Sequence, residues 1–137
     1  MGMGGDDDDV PPRPNLWARL ERHLSAPRPP VDVRRYEWLE VAPGLKSHVL
    51  EDNSAAGYVR LLIWLEADVL LPRHRHDGDE DVLVLEGGIV LEGENEGTHL
   101  AGSIFRSRAG TGHQGRATPG RDCVGHVVMY SARKPDS

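Results

Sequence analysis

Short runs of apolar residues alternate with polar residues along most of the chain beyond Val31. Side chains two residues apart on a strand share one face, so this alternation predicts short β-strands. Turn residues interrupt the pattern at Pro43-Gly44, Glu66 to Asp68, Gly87-Gly88 and Glu94 to Gly97. Closely spaced strands and turns, without a strand–helix–strand rhythm, are typical of a β-barrel or a β-sandwich.

The segment from residue 15 to residue 25 has a different period. Leu16, Leu20 and Leu24 recur every four residues after the capping residue Asn15, which predicts a short amphipathic helix that the prolines at 26–30 end. We therefore expect four parts of the chain. They are a disordered tail at 1–14, a helix and linker at 15–39, a β-barrel at 40–131 and a C-terminal tail at 132–137.

The run Val82-Leu83-Val84-Leu85 is apolar at every position. A strand that is apolar on both faces is covered on both sides, by the barrel core within and by another sheet or subunit outside. Together with the short helix, this strand predicts a homodimer, and closed two-fold dimers are the commonest oligomers.

Composition and charge narrow the class of protein. The 137 residues fit one domain. The net charge is −6, and four of the acidic residues, Asp6 to Asp9, lie in the predicted tail. The basic residues are scattered and form no stripe for nucleic acid. A single cysteine, Cys123, excludes an internal disulfide, and no apolar run reaches membrane-spanning length. We therefore expect a soluble cytoplasmic protein that binds neither nucleic acid nor a membrane.

The candidate chemistry lies in "RHRHDGDEDVLVLEGG", from Arg73 to Gly88. His74 and His76 point to the same face of a strand, and Glu80 follows a bend that can return its carboxylate to them. The many charges of this segment leave a solvated polar loop as the alternative to a metal site. A further histidine, His113, follows the glycine-rich turn "AGTG" and can reach the first cluster only through the fold.

Two spacings resemble a known family. "His74-x-His76-x3-Glu80-x6-Gly87" is similar to the first cupin motif, and the segment from Gly102 through Gly110 to His113 is similar to the second. The resemblance covers about residues 40–131 and implies an all-β, single-domain cupin, that is, a double-stranded β-helix or jelly-roll barrel. The stretches "APGLKSHVLEDN" and "CVGHVV" most resemble the cupin domain of ChrR-like anti-sigma factors. Asp68 stands where the first motif usually opens with glycine.

The resemblance implies one metal site made of His74, His76, Glu80 and His113. Three imidazoles and one carboxylate suit a single divalent transition metal ion, and Zn, Fe, Ni, Cu and Mn all remain open. In ChrR-like proteins the equivalent residues bind zinc. One or two coordination positions would remain for water or for a small-molecule substrate or effector.

Three functions are compatible with this site. The first is a small metalloenzyme that acts on a chelating organic acid or a diketone-like substrate, as a dioxygenase with iron and oxygen or as a lyase or isomerase without oxygen. The second is a non-catalytic zinc-binding sensor like the ChrR cupin domain, although only about forty residues, without cysteine, precede the barrel. The third is a storage or structural cupin, against which the complete ligand set argues.

Two further side chains have open roles. Arg60 can hold a substrate carboxylate if it points inward, but we expect it to point outward as a solvated residue. His126 on the final strand can be a cavity acid or base, but we expect an ordinary hydrogen-bonded histidine.

Overall fold

The computed structural model describes residues 16–25 and 32–132. Helix α1 spans Leu16–Ser25, in agreement with the leucine spacing. The predicted cap Asn15, the proline-rich end of the helix at 26–30, the tail at 1–14 and the C-terminal tail beyond residue 132 lie outside the described residues. None of the described helices has the length and apolar character that crossing a membrane would need. The helix belongs to one compact unit of the chain, and Arg34–Ser137 form a second.

The second unit is built of β-strands, and all of its strand pairs are antiparallel. Its described residues form β1 (Leu39–Ala42), β2 (Leu45–Asn53), β3 (Tyr58–Leu65), β4 (Leu70–Arg75), β5 (Glu80–Glu86), β6 (Gly88–Gly93), β7 (Gly97–Leu100), β8 (Ile104–Ser107), β9 (Gly112–Ala117) and β10 (Cys123–Tyr130). The predicted strands and turns agree with this order.

The strands form two sheets. A six-stranded sheet has the order β1-β2-β3-β10-β5-β8, and a four-stranded sheet has the order β4-β9-β6-β7. From β3 onward the chain moves repeatedly from one sheet to the other, as in a jelly roll. The predicted all-β architecture with one short helix is confirmed.

The bend predicted between β3 and β4 is stabilised by a carboxylate from the loop before β10. Asp122 accepts hydrogen bonds from the Trp64 indole nitrogen at 2.9 Å and from the Ala67 backbone N–H at 2.8 Å. Asp68 has a φ of 66° in this bend. Aspartate is one of the few side chains that adopt this left-handed conformation readily, which explains how Asp68 takes the place of a motif glycine.

The core lies between the two sheets. Leu65, Val84, Ala117 and Cys123 are buried together there. On β5, Val82 and Val84 line the interior cavity, whereas the alternating Leu83 and Leu85 are half-buried on the opposite face. The doubly apolar strand therefore has one face in the core and one face on the outside of the six-stranded sheet, where the predicted dimer contact stays a prediction.

Candidate metal centre

The pairing of β4 with β9 brings the two histidine segments together. His74 on β4 lies directly opposite His113 on β9 in this antiparallel pair. His76 follows β4 by one residue, and its backbone N–H donates to the Thr111 carbonyl at 2.9 Å. The fold therefore returns His113 to the first cluster, as the resemblance implied.

The three imidazoles form a compact cluster. The centroid distances are 4.8 Å between His74 and His76, 4.7 Å between His74 and His113, and 4.6 Å between His76 and His113. The rings stand at 77° to 86° to one another. One ring nitrogen from each histidine lies within 4.8 Å of the other two, so the three can hold one metal ion.

Backbone carbonyls orient two of the rings. Nδ1 of His74 lies 2.9 Å from the Pro72 carbonyl, and Nδ1 of His76 lies 3.0 Å from the Thr111 carbonyl. A carbonyl oxygen only accepts hydrogen bonds, so each Nδ1 carries the proton and each Nε2 keeps its lone pair. This tautomer presents Nε2 to a metal, and such hydrogen bonds to the other ring nitrogen are usual for metal-ligating histidines.

Two ring nitrogens of the cluster lack a protein partner. Within residues 16–25 and 32–132, His76 Nε2 and His113 Nδ1 are buried without a hydrogen bond, and the two residues are only 2% and 5% exposed. Burial, reinforced by the neighbouring His74 and His76, lowers the pKa of His113 to about 4. His113 is therefore neutral at neutral pH, which is the form that binds a metal. A buried polar atom without a partner is costly, so the donor set fits a metal ion.

Glu80 stands beside the three histidines without belonging to the closest group. Its Oε2 lies 3.9 Å from His76 Nε2, while the mutually close ligand atoms are those of His74, His76 and His113. Burial raises the pKa of Glu80, and the two nearby histidines His76 and His74 oppose this effect. The role of Glu80 as the fourth ligand stays a prediction.

The turn after β6 supports the loop that precedes His113. The Glu94 carboxylate accepts the Arg108 backbone N–H at 2.7 Å, and the Glu94 backbone N–H donates to the Gly112 carbonyl at 3.1 Å. The same loop carries the Thr111 carbonyl that orients His76. Sequence reasoning missed Glu94, since "EGENEG" indicates a turn and contains no signal for this long-range contact.

A cavity of about 230 Å³ extends from the histidine cluster into the space between the sheets. Three side chains of the site, His74, Glu80 and His113, line it together with many apolar side chains. The apolar lining includes Leu61, Ile63, Val82, Val84, Phe105 and Val127. The cluster therefore combines a polar group of potential ligands with an apolar chamber.

The two residues with open roles both lie away from this cavity. Arg60 Nη1 pairs with Glu51 Oε1 at 3.1 Å and is absent from the cavity lining, which confirms the outward orientation. His126 alternates with the cavity-lining Gly125 and Val127, so it occupies the opposite face of β10. Its Nε2 is buried without a protein partner among the described residues, so this ring nitrogen does not form the expected hydrogen bond to the chain. Burial, followed by the nearby Arg60, lowers the pKa of His126 and favours the neutral ring.

Comparison with solved structures identifies proteins of similar architecture. A sequence comparison with the curated proteins finds no match. An RmlC-like cupin from Ralstonia eutropha JMP134 is 21% identical with a TM-score of 0.63, and the match covers 80% of this chain and 72% of that one. The polyketide cyclase RemF from Streptomyces resistomycificus is 20% identical with a TM-score of 0.64, over 80% of this chain and 83% of that one.

The anti-sigma factor ChrR of Rhodobacter sphaeroides, solved in complex with SigE, is also similar. It is 22% identical with a TM-score of 0.64, and the match covers 92% of this chain and 73% of that one. The family model described as the ChrR cupin-like domain matches residues 28–131, which is most of the chain. The chain belongs to the ChrR cupin-like domain family and has the cupin fold.

Proposed function

We propose that the chain binds one divalent transition metal ion through His74, His76, His113 and Glu80. The observation that carries this proposal is the convergence of three imidazoles, two of which have a buried nitrogen that no described residue of the chain contacts by a hydrogen bond. Imidazole and carboxylate ligands suit Zn, Fe, Ni, Cu and Mn alike, so the identity of the metal has to be determined by experiment.

We propose further that the site is catalytic and acts on a small chelating organic acid or diketone-like substrate. A bound metal would supply Lewis-acid activation of a ligand oxygen, with dioxygenase or lyase chemistry as the two candidate reaction types. The residues of this chain have separate tasks. The carbonyls of Pro72 and Thr111 fix the ring tautomers of His74 and His76, and the apolar walls exclude water from the reacting group.

Support for catalysis comes from the cavity beside the cluster. A concave apolar site with a few convergent polar groups is the usual form of a small-molecule site. The fold is also that of the cyclase RemF and of the DMSP lyase DddQ of Ruegeria pomeroyi DSS-3, the second at 14% identity and a TM-score of 0.59, over 75% of this chain and 60% of that one. These likenesses concern the fold, so the cavity is the stronger argument.

The second candidate is a non-catalytic zinc-binding sensor. It is favoured by the match to the ChrR cupin-like family and by the likeness to ChrR, which was solved in complex with SigE. In this case the same four residues would hold zinc, and a small-molecule effector would bind in the cavity. The two candidates share the metal site and differ in turnover.

Elemental analysis of protein purified without an affinity-column metal tests the proposal. We expect about one transition metal ion per chain, and we expect His113→Ala to lose it. His99→Ala is the matched control, because His99 lies outside the cluster and contacts the Asn95 carbonyl at 2.7 Å. Unchanged metal content in His113→Ala contradicts the four-ligand site. Bound iron with oxygen uptake on a diketone or a catechol favours the dioxygenase, whereas tight zinc without turnover favours the sensor.

We also propose that the chain forms a homodimer through the outer face of the six-stranded sheet. Leu83 and Leu85 are half-buried on this face, and Ile104 on the neighbouring β8 is 76% exposed. Light scattering tests this proposal, and a mass of 15.1 kDa, that of one chain, contradicts it. The predictions of a cytoplasmic location and of a protein that binds no nucleic acid stay predictions.

A further inference from the structure

The cavity has a polar end at the histidine cluster and an apolar inner end between the sheets. On β10, Met129 pairs with Glu80 of the candidate metal centre, and Gly125 pairs with Val84 of the core. Four residues of a strand span about 13 Å, so the cavity side of β10 leads from the histidine cluster well into the apolar interior. Met129 lines the cavity and is 42% exposed, which places the mouth near the metal end.

No arginine or lysine lines the cavity among the described residues. Arg60 pairs with Glu51, and Arg106 makes two hydrogen bonds to Asp81 at 2.6 and 2.8 Å on the outer side of the six-stranded sheet. The Cys123 thiol is the polar group of the deep end, and burial raises its pKa to about 11, so it stays neutral. A ligand with a charged or strongly polar far end would therefore lose its hydration without gaining a partner.

The charge of the site selects the head group. Among the described residues that line the cavity, the candidate metal centre is the one place where a bound cation would face an anionic head group, so the cavity can pair one anionic group and not a second. The volume selects the length of the apolar part. A cavity of about 150 Å³ lined by apolar side chains holds benzene, so a cavity of about 230 Å³ suits a ligand of roughly 6 to 12 non-hydrogen atoms.

We propose that the cavity binds a short monoanionic acid with an unbranched or compact hydrocarbon body, its head group at the metal centre and its apolar end at Gly125. This inference rests on the proposed metal site and adds the class of ligand. It disfavours small dianions and polyhydroxylated acids, whose second polar group would be buried among apolar side chains.

Gly125 determines how far such a ligand reaches. A Cβ atom at this position would lie 3.5 Å from the Leu83 carbonyl oxygen and 3.7 Å from Val82 Cγ1, which is ordinary contact. The backbone therefore accepts a larger side chain there, and that side chain would occupy the cavity. Leucine at this position is expected to shorten the cavity and leave the histidine cluster unchanged.

The first test is calorimetric titration of the cobalt-loaded protein with hexanoate, acetate and adipate. Hexanoate is expected to bind on the order of 100-fold more tightly than acetate, because four further methylene groups leave water. Adipate has the same chain length with a second carboxylate and is expected to bind no better than acetate. Equal affinity for the three acids overturns the inference. The cobalt absorption spectrum separates the two proposals, since a protein that takes up no cobalt refutes the metal site itself.

The second test uses Gly125→Leu, with Val128→Leu as the matched control on the opposite face of β10. Gly125→Leu is expected to weaken hexanoate binding at least about 10-fold and to leave cobalt uptake and acetate binding unchanged. Val128→Leu is expected to bind hexanoate like the parent chain. If Gly125→Leu does not fold, Ile63→Ala is used, and this wider cavity is expected to bind octanoate more tightly than the parent chain does. Unchanged hexanoate affinity in folded Gly125→Leu, or unchanged octanoate affinity in Ile63→Ala, contradicts the inference.

Discussion

His74 and His113 lie directly opposite each other on the antiparallel strands β4 and β9, with ring centroids 4.7 Å apart. The two strands approach closely at this point because Gly112 precedes His113. A Cβ atom on Gly112 would lie 2.7 Å from the His74 carbonyl oxygen. The spacing of two candidate metal ligands therefore depends on the absence of a side chain at residue 112.

Gly112→Ala is expected to push β4 and β9 apart. The clash is with backbone, which cannot rotate away, so we expect a loss of about 1–3 kcal/mol in the free energy of unfolding together with weaker metal binding. Urea unfolding and competition with a chelator measure the two effects. Gly125→Ala is the control, because a Cβ there meets its nearest atom at 3.5 Å. Equal metal affinities in the two variants would show that this close approach does not matter to the site.

Glu94→Ala is expected to loosen the loop that carries the Thr111 carbonyl. Burial by itself would raise the pKa of Glu94, but hydrogen bonds from Thr111 and from the Arg108 backbone outweigh this effect and lower the pKa. The carboxylate is therefore charged when it holds the loop. Because this loop orients His76, we expect metal affinity to fall about 10- to 100-fold, as for other partners of metal ligands. Chelator competition measures the change.

The matched control for this variant is Glu92→Ala. Glu92 is exposed on β6, the strand before the turn that carries Glu94, and its carboxylate accepts a hydrogen bond from Gln114 at 2.6 Å instead of contacting the loop. We expect its metal affinity to equal that of the parent chain. A Glu94→Ala variant that binds metal as tightly as Glu92→Ala would contradict the positioning role of Glu94.

Local patterns in the sequence predicted the strands, because period-two alternation depends only on neighbouring residues. The bend at Glu66 to Asp68 followed from the polar residues that interrupt an apolar run. The shared face of His74 and His76 followed from the same alternation. The return of His113 has no local signal, and only the resemblance to the second cupin motif supplied it.

The character of the cavity could not be predicted in this way. Val82 and Leu83 are both apolar, so alternation did not reveal which of them faces the interior. The contacts of Glu94 and Asp122 join segments that are far apart in the chain, and their polarity is equally suitable for a solvated turn. Such side chains take their roles from tertiary contacts that one sequence does not encode locally.

Asp122→Ala is expected to destabilise the bend between β3 and β4. The carboxylate accepts hydrogen bonds from the Trp64 indole and from the Ala67 backbone, and its removal leaves two half-buried donors without a partner. We expect a loss of about 2–4 kcal/mol, roughly 1–2 kcal/mol for each donor. Denaturant unfolding followed by tryptophan fluorescence measures it. Asp52→Ala is the control, because Asp52 is exposed and its carboxylate accepts a hydrogen bond from the Ser54 backbone N–H of its own turn. An equal loss there would contradict this account.

In alkaline solution, the free energy of unfolding is expected to decrease as the pH rises, because of Cys123. Burial raises the pKa of this thiol from 9.0 to about 11. Below about pH 9 the thiol is neutral in both the folded and the unfolded chain, so its ionisation does not affect stability. Between pH 9 and pH 11 the unfolded chain releases the proton first, and the unfolded state is favoured by about 1–2 kcal/mol.

The matched variant for this pH effect is Cys123→Ala. It is expected to be less stable than the parent chain below pH 9 because it leaves a small void in the core, but it has no thiol to ionise. The difference in unfolding free energy between the parent chain and Cys123→Ala should therefore narrow as the pH rises from 9 to 11. The other titratable groups are common to both proteins, so their contributions cancel in this difference. A constant difference across the range would mean that the thiol is no harder to ionise in the folded chain than in the unfolded one, and that the deep end of the cavity is wetter than its lining indicates.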